Sequence, residues 1–193
     1  MARITDENKI ERLKVATMKL VAENGYGGAS AALIATNAKV STGYFYRHYK
    51  GKYELVNSLL LEVYREVADK LDELIQEGSS FHTLIASLVN YFFRMANKEP
   101  VKAKFFYVLT SDYQFKSDHE VKSSIFEYIQ KVMDIGHKSG QLDEKLSQED
   151  IYLVLLINTI QFINQQFKNS TTKVKFTKTD EEHLLYLINK ILK

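Results

Sequence analysis

The side chains best equipped for chemistry crowd into one short stretch of this sequence. Thr42, Tyr44, Tyr46, Arg47 and His48 fall within seven residues, with Lys39, Lys50 and Lys52 close on either side. Hydroxyls, a guanidinium and an imidazole at this density are suitable partners for phosphate oxygens. No acidic residue occurs between Glu23 and Glu54. Residues 1–55 carry nine Lys/Arg against five Asp/Glu, a net of +4, while residues 56–193 carry seventeen against nineteen, a net of −2. A locally basic segment on a chain of net charge +2 points to one face for a polyanion.

Other chemistries find little support. The chain has no cysteine, which excludes a disulfide framework, a thiolate zinc site, a Cys nucleophile and an iron–sulfur cluster, and agrees with a reducing compartment. The five histidines are scattered, and His119-Glu120 is not followed by a second His at metalloprotease spacing. The glycines at 25, 27 and 28 lack the Lys-Ser/Thr of a phosphate loop. We therefore expect no catalysis, no metal and no cofactor. The longest apolar run, 151–157, is seven residues, far short of the ~18 that suggest a membrane span. The charged N-terminus lacks the apolar core of a secretion signal. The expectation is a cytoplasmic protein with no membrane partner.

The elements that must position the basic stretch are helices. One proline and eight glycines in 193 residues leave few turn signals, with 45% hydrophobic and 26% charged residues. That is the balance of a soluble all-α chain. Apolar spacing predicts helices over 6–24, 31–38, 42–47, 52–77, 81–97, 101–109, 119–138, 147–168 and 180–192, about nine in total. Thr5 or Asp6 can cap the first, and Gly25 is placed to end it. Ser30 and Ser41 cap the two short helices, Ser147 with Asp150 resembles a capping box, and Thr179 precedes an acidic first turn. In 171–178, Val174 and Phe176 alternate with lysines, which suggests an extended connection, since no second strand is present to pair with it.

Two short helices joined at Lys39-Val40 form a candidate helix-turn-helix. Val40 and Phe45 look inward. The second helix would lie in a DNA major groove while the first crosses the backbone.

The stretch from Gly25 to Leu55 resembles the DNA-binding domain of the TetR family of bacterial transcriptional regulators. The resemblance rests on Gly25-Tyr26, Ala29-Ser30, Ile34-Ala35, Ala38, Val40-Ser41 and Gly43, then Phe45-Tyr46, His48-Tyr49, Lys50-Gly51-Lys52 and Leu55. It covers about residues 5–56. Lys39 departs from the family's usual turn glycine, Tyr49 from a phenylalanine, and Tyr53 from an acidic residue. The resemblance implies an N-terminal three-helix domain, 1–51, and a helical ligand-binding and dimerisation domain, 52–193. It implies that Ser30 binds a phosphate, and that Thr42, Gly43 and Tyr44 face base edges or the sugar-phosphate wall. Tyr46, His48 and Lys52 would hold phosphates, and Arg47 would do either.

The resemblance also implies a homodimer through the last two helices, a double-stranded DNA operator, and a small-molecule inducer of unknown identity. Ile151, Leu155, Asn158, Phe162 and Gln165-Gln166 on one helix, with Leu184, Leu187, Ile188 and Ile191 on the last, allow such an interface. Among the many aromatics of the body, Tyr64, Tyr91, Phe92, Met95, Phe106, Tyr113, Tyr128 and Phe162 are candidates to line a pocket for an apolar or aromatic ligand. Asn90, Arg94, His82, Gln161 and Asn164 are candidate polar partners within it. The expected function is a dimeric repressor. A helical protein-interaction module without DNA binding, or a regulator without an inducer, are the alternatives.

Overall fold

The computed structural model describes residues 2–169 and 174–193. Among these are nine helices and no strand. Helix α1, Ala2–Gly28, turns Leu13, Ala16, Thr17, Leu20 and Val21 into the core. It is already helical at Ala2, ahead of the Thr5 or Asp6 expected to cap it. The regular helix stops at Gly25, whose φ of 74° and ψ of 170° kink the chain, and residues 26–28 follow as a displaced turn.

Helices α2 (Ala31–Asn37) and α3 (Thr42–His48) start as their serines dictate. Ser30 Oγ accepts from the Leu33 N–H at 3.1 Å, and Ser41 Oγ from the Tyr44 N–H at 3.1 Å. Between them Lys39 N–H donates to the Thr36 carbonyl and Val40 N–H to the Ala35 carbonyl, both at 3.0 Å. That pair is a Schellman motif, which needs a left-handed residue after the helix. Lys39 supplies it at φ 54°. Helices α4 and α7 end the same way on Gly78 (φ 72°) and Gly140 (φ 64°). A lysine there bears a strain of roughly 1 kcal/mol that glycine avoids.

The body follows. Helix α4 (Lys52–Gln76) buries Leu55, Leu59, Val63, Val67 and Leu71 at helical spacing. Helix α5 is Phe81–Lys98, α6 is Pro100–Ser111 and α7 is His119–Lys138. Pro100 opens α6, where a missing N–H costs nothing. Helix α8 spans 148–169, and α9 is Lys178–Ile191. Helix α9 begins two residues earlier than expected. Thr177, not Thr179, caps it, in a reciprocal box with Asp180 whose carboxylate accepts the Thr177 N–H at 2.8 Å. That hydrogen bonding holds the Asp180 carboxyl below the usual carboxylate range. Residues 174–177 are non-helical, and the rest of the expected extended connection, 171–173, lies outside the described residues.

Within α8, residues Tyr152–Ile157 form a π-helical stretch, nearly the whole of the seven-residue apolar run. It leaves Leu153 exposed while Val154, Leu155 and Leu156 are buried. One hydrophobic core runs from Leu13 in α1 to Leu192 beyond α9, and α1 packs along α6.

Replacing Lys39 by glycine relieves the turn strain but frees the unfolded chain, so the variant should gain up to about 1 kcal/mol of stability. Thermal unfolding reads this. A lower midpoint for Lys39→Gly would show that the turn is not strained.

Candidate nucleic-acid interface and ligand cavity

Helix α3 is two turns long, so its residues divide cleanly between faces. Phe45 is fully buried and is the anchor of the head. Thr42, Gly43, Tyr46, Arg47 and His48 are exposed, with Tyr46 at 56%. Ser30, at the start of α2, is exposed too. These six expected contacts are all accessible to a ligand from solvent.

Tyr44 departs from expectation. It is only 7% exposed, because the α3 helix turns it against α1. Its ring lies 4.6 Å from that of His48, and Lys9 Nζ sits 5.1 Å from its centroid. Such a ring braces the helix from behind. Lys52 also departs. Its ammonium donates to the Tyr26 carbonyl at 2.6 Å and lies 3.9 Å from the Tyr26 ring centroid, where a phosphate anchor would face solvent. Partial burial lowers its pKa, and the Asp112 charge opposes that shift.

Lys52 belongs to a joint that sequence reasoning missed. Tyr26 N–H donates to Asp112 Oδ2 at 3.0 Å, across 86 residues of chain. The other carboxylate oxygen of Asp112 accepts the Gln114 N–H at 2.9 Å. Phe115 packs on Tyr26 with centroids 5.1 Å apart, and on Tyr53 at 6.2 Å. Tyr53 in turn donates from its hydroxyl to the Lys116 carbonyl at 3.1 Å. The turn after Gly25 is therefore bolted to the loop after α6. A lone aspartate in a loop carries no local signal of such a role.

The body holds an apolar cavity of about 60 Å³ between α4, α5, α7 and α8. Tyr64, Val67, Ala68, Leu71, Leu88, Tyr128, Val132, Ile151, Tyr152 and Leu155 are among its walls. Of the expected pocket residues, only Tyr64 and Tyr128 line it. Phe92 and Phe106 are fully buried behind it, their rings 5.5 Å apart, with Phe106 edge-on to Tyr64 at 5.4 Å. They are solid core, because their helices leave no space beside them. Tyr91 and Met95 line a separate charged cleft on the outer side of α4 and α5, with Asn90 and Arg94. There the Tyr91 hydroxyl binds Glu66, and burial with that carboxylate drives its pKa far up. Tyr113 is 99% exposed on the loop and lines nothing. None of the five polar candidates borders the apolar cavity. The signal that points to it is the run 151–157, whose π-helical turn forms one wall; such turns recur at functional sites.

Phe162 and Gln161 belong elsewhere. With Asn158, Gln165, Leu187 and Ile191 they line an exposed groove between α8 and α9. Leu187 and Ile191 are 43% and 48% exposed, whereas Leu184 and Ile188 face the core. Ile151 and Leu155, expected in the same stripe, are buried against the cavity instead.

A helix-turn-helix head with an exposed polar second helix, joined to an all-helical body with an internal apolar cavity, defines a DNA-binding regulator. Residues 14–59 match the family described as bacterial regulatory proteins, tetR family. That match takes in the helix-turn-helix and the first turns of α4, so this part of the chain is a DNA-binding domain of the tetR type. The chain is 25% identical over 138 residues to a fatty acid metabolism regulator protein of Bacillus subtilis (strain 168), covering 68% of this chain and 69% of that one. Its fold is shared by the fatty acid degradation regulator FadR of Bacillus halodurans, with a TM-score of 0.71 at 20% identity, over 95% of this chain and 94% of the other. It is shared equally by FadR from Bacillus subtilis, solved in complex with stearoyl-CoA, with a TM-score of 0.67 at 20% identity, over 94% and 96%.

The opposite placement of the two tyrosines that flank Phe45 is testable. Tyr44→Ala should cost about 3 kcal/mol as a core truncation, while Tyr46→Ala should stay within about 0.5 kcal/mol. Urea unfolding of both variants decides it, and equal losses would contradict the assigned faces.

Proposed function

We propose that this protein is a homodimeric repressor whose grip on its operator is released by a long-chain fatty acyl ligand. The observation that carries the ligand class is the cavity wall. It consists of apolar side chains and three tyrosines, with no charged group. Such a lining suits a hydrocarbon chain and penalises a polar ligand, whose groups would go unpartnered. The fatty acid regulators to which the chain is similar support the same reading. At about 60 Å³ the cavity is far below the ~300 Å³ of a ligand pocket. An acyl chain therefore enters only as the helices around the cavity move apart. That coupling of filling to helix movement is what a switch requires, because a ligand shifts an equilibrium only by preferring one state.

The head, residues 1–51, reads DNA in this proposal. Thr42 and Gly43 approach base edges, Ser30, Tyr46 and His48 hold phosphates, and Arg47 takes either role. The exposed groove between α8 and α9 supports a two-fold interface with a second copy, since Leu187 and Ile191 would otherwise remain in water. Residues 52–193 supply this interface and the ligand site. The protein acts in the cytoplasm, where its DNA lies, and does no catalysis.

Fluorescence anisotropy on operator DNA selected from a random library tests the DNA contacts. Arg47→Ala should weaken binding by about 1–3 kcal/mol and, if it contacts phosphate, flatten the salt dependence by about one unit of slope. Unchanged affinity in Arg47→Ala and Tyr46→Phe together would remove the assigned surface. The ligand reading has its own variant. Ala68→Phe fills the cavity, so it should bind operator like the parent but resist release by palmitoyl-CoA. Equal release of parent and variant would place the acyl chain elsewhere, and no release of the parent would favour a regulator without this inducer.

A further inference from the structure

The apolar cavity shares part of its wall with a second pocket. Tyr64 and Tyr152 line it, and the same two residues line a second chamber of about 220 Å³ on their other side. Each hydroxyl is close enough to the other to perturb its ionisation, and burial raises the pKa of both. They form a paired partition between an apolar space and a polar one. The second chamber is closed by Leu60, Leu109, Thr110 and Phe115, and its polar rim is Lys116, Ser117 and Lys122.

Neither lysine has an ion-pair partner among the described residues. The acids beside them in sequence are engaged elsewhere. Asp118 accepts the Val121 N–H as the cap of α7, and Glu120 faces Arg65 at 3.7 Å. Two ammonium groups without an ion pair, on a chamber that backs onto an apolar cavity, match an amphiphile with an anionic head.

We infer that the anionic head group of the ligand occupies this second chamber, beside Lys116 and Lys122, with its alkyl chain passing between Tyr64 and Tyr152 into the apolar cavity. The inference rests on the acyl-chain reading given above and adds to it the site of the head group. A fatty acid carboxylate and the phosphates of an acyl-CoA share the required negative charge. Both lysines are exposed, so a larger head extends from the chamber into solvent. The chamber wall is the loop that carries Phe115, whose ring packs on Tyr26, and Asp112, whose carboxylate holds the Tyr26 N–H. The head group therefore lies against the element that positions the DNA-binding domain. The chain alone lies farther away, so the two parts of the ligand have separate tasks. The chain supplies affinity, and the head reports occupancy to the joint.

Direct binding of palmitate, palmitoyl-CoA and hexadecanol, each below its aggregation limit, tests this by calorimetry on the full-length parent and the Lys116→Gln/Lys122→Gln variant. Loss of two exposed charge contacts should weaken the anionic ligand by roughly five- to tenfold. Binding of the neutral alcohol should be unchanged. A loss confined to palmitate identifies the carboxylate as the head, and one confined to palmitoyl-CoA identifies the phosphates. Equal affinity of parent and variant for every probe would overturn the head-group site while leaving the acyl cavity intact. Equal weakening of all three, the alcohol included, would overturn it as well, by showing structural damage in place of a charge contact. Failure of all three to bind the parent would overturn the acyl reading itself.

Discussion

The structure depends on how the peptide at Tyr26 is held. Its N–H is taken by Asp112 from the end of α6, its carbonyl by Lys52 from the start of α4, and its ring by Phe115 and the Lys52 ammonium. Gly25 makes this possible, because its positive φ turns the chain out of α1 and presents the peptide to the body. The pairs are charge-assisted and partly withdrawn from water, so each is stronger than a surface contact. Three segments far apart in sequence meet at one residue. The orientation of the helix-turn-helix relative to the body is set there, together with the packing of α1 along α6.

This arrangement gives a physical route from cavity to DNA. The apolar cavity is too small for an acyl chain as it stands, and its walls include the π-helical turn of α8. A packed interior does not deform continuously, so filling the cavity displaces whole helices. Helix α8 carries the exposed groove shared with α9, and the loop after α6 carries the joint. In the proposed switch the body has two outputs, dimer geometry and head orientation, carried by the α8–α9 groove and by the loop after α6. Two half-sites on a duplex must match two heads in spacing and angle. In the proposal, rotation of the heads about the Tyr26 joint is what breaks that match.

The head was legible in the sequence because its determinants are local. Ser30, Ser41 and the turn at Lys39 act within a few residues of themselves, and the structure has each where its chemistry requires. Phe45 was legible as the anchor for the same reason. The faces of its neighbours were not. Tyr44 and Tyr46 flank Phe45 alike in sequence, and only the presence of α1 behind the helix decides that one is buried and the other free of the core. The body was less legible still. Aromatic content marks buried helices but cannot separate cavity walls such as Tyr64 from solid core such as Phe92, or from an exposed loop residue such as Tyr113. That distinction arises from how five helices pack. Asp112 and Lys52 escaped for a related reason, since a long-range polar contact leaves no periodicity behind.

The most direct test of this account is the coupling between ligand and DNA when the joint is cut. Operator affinity would be measured with and without saturating palmitoyl-CoA, in the parent and in Asp112→Ala. Ligand affinity of the DNA-free proteins would be measured alongside. The account predicts that Asp112→Ala binds the ligand as the parent does but loses most of the ligand-induced fall in operator affinity, because the coupling free energy runs through the Tyr26 joint. An undiminished fall in the variant would contradict it and would place the transmission entirely in the dimer interface.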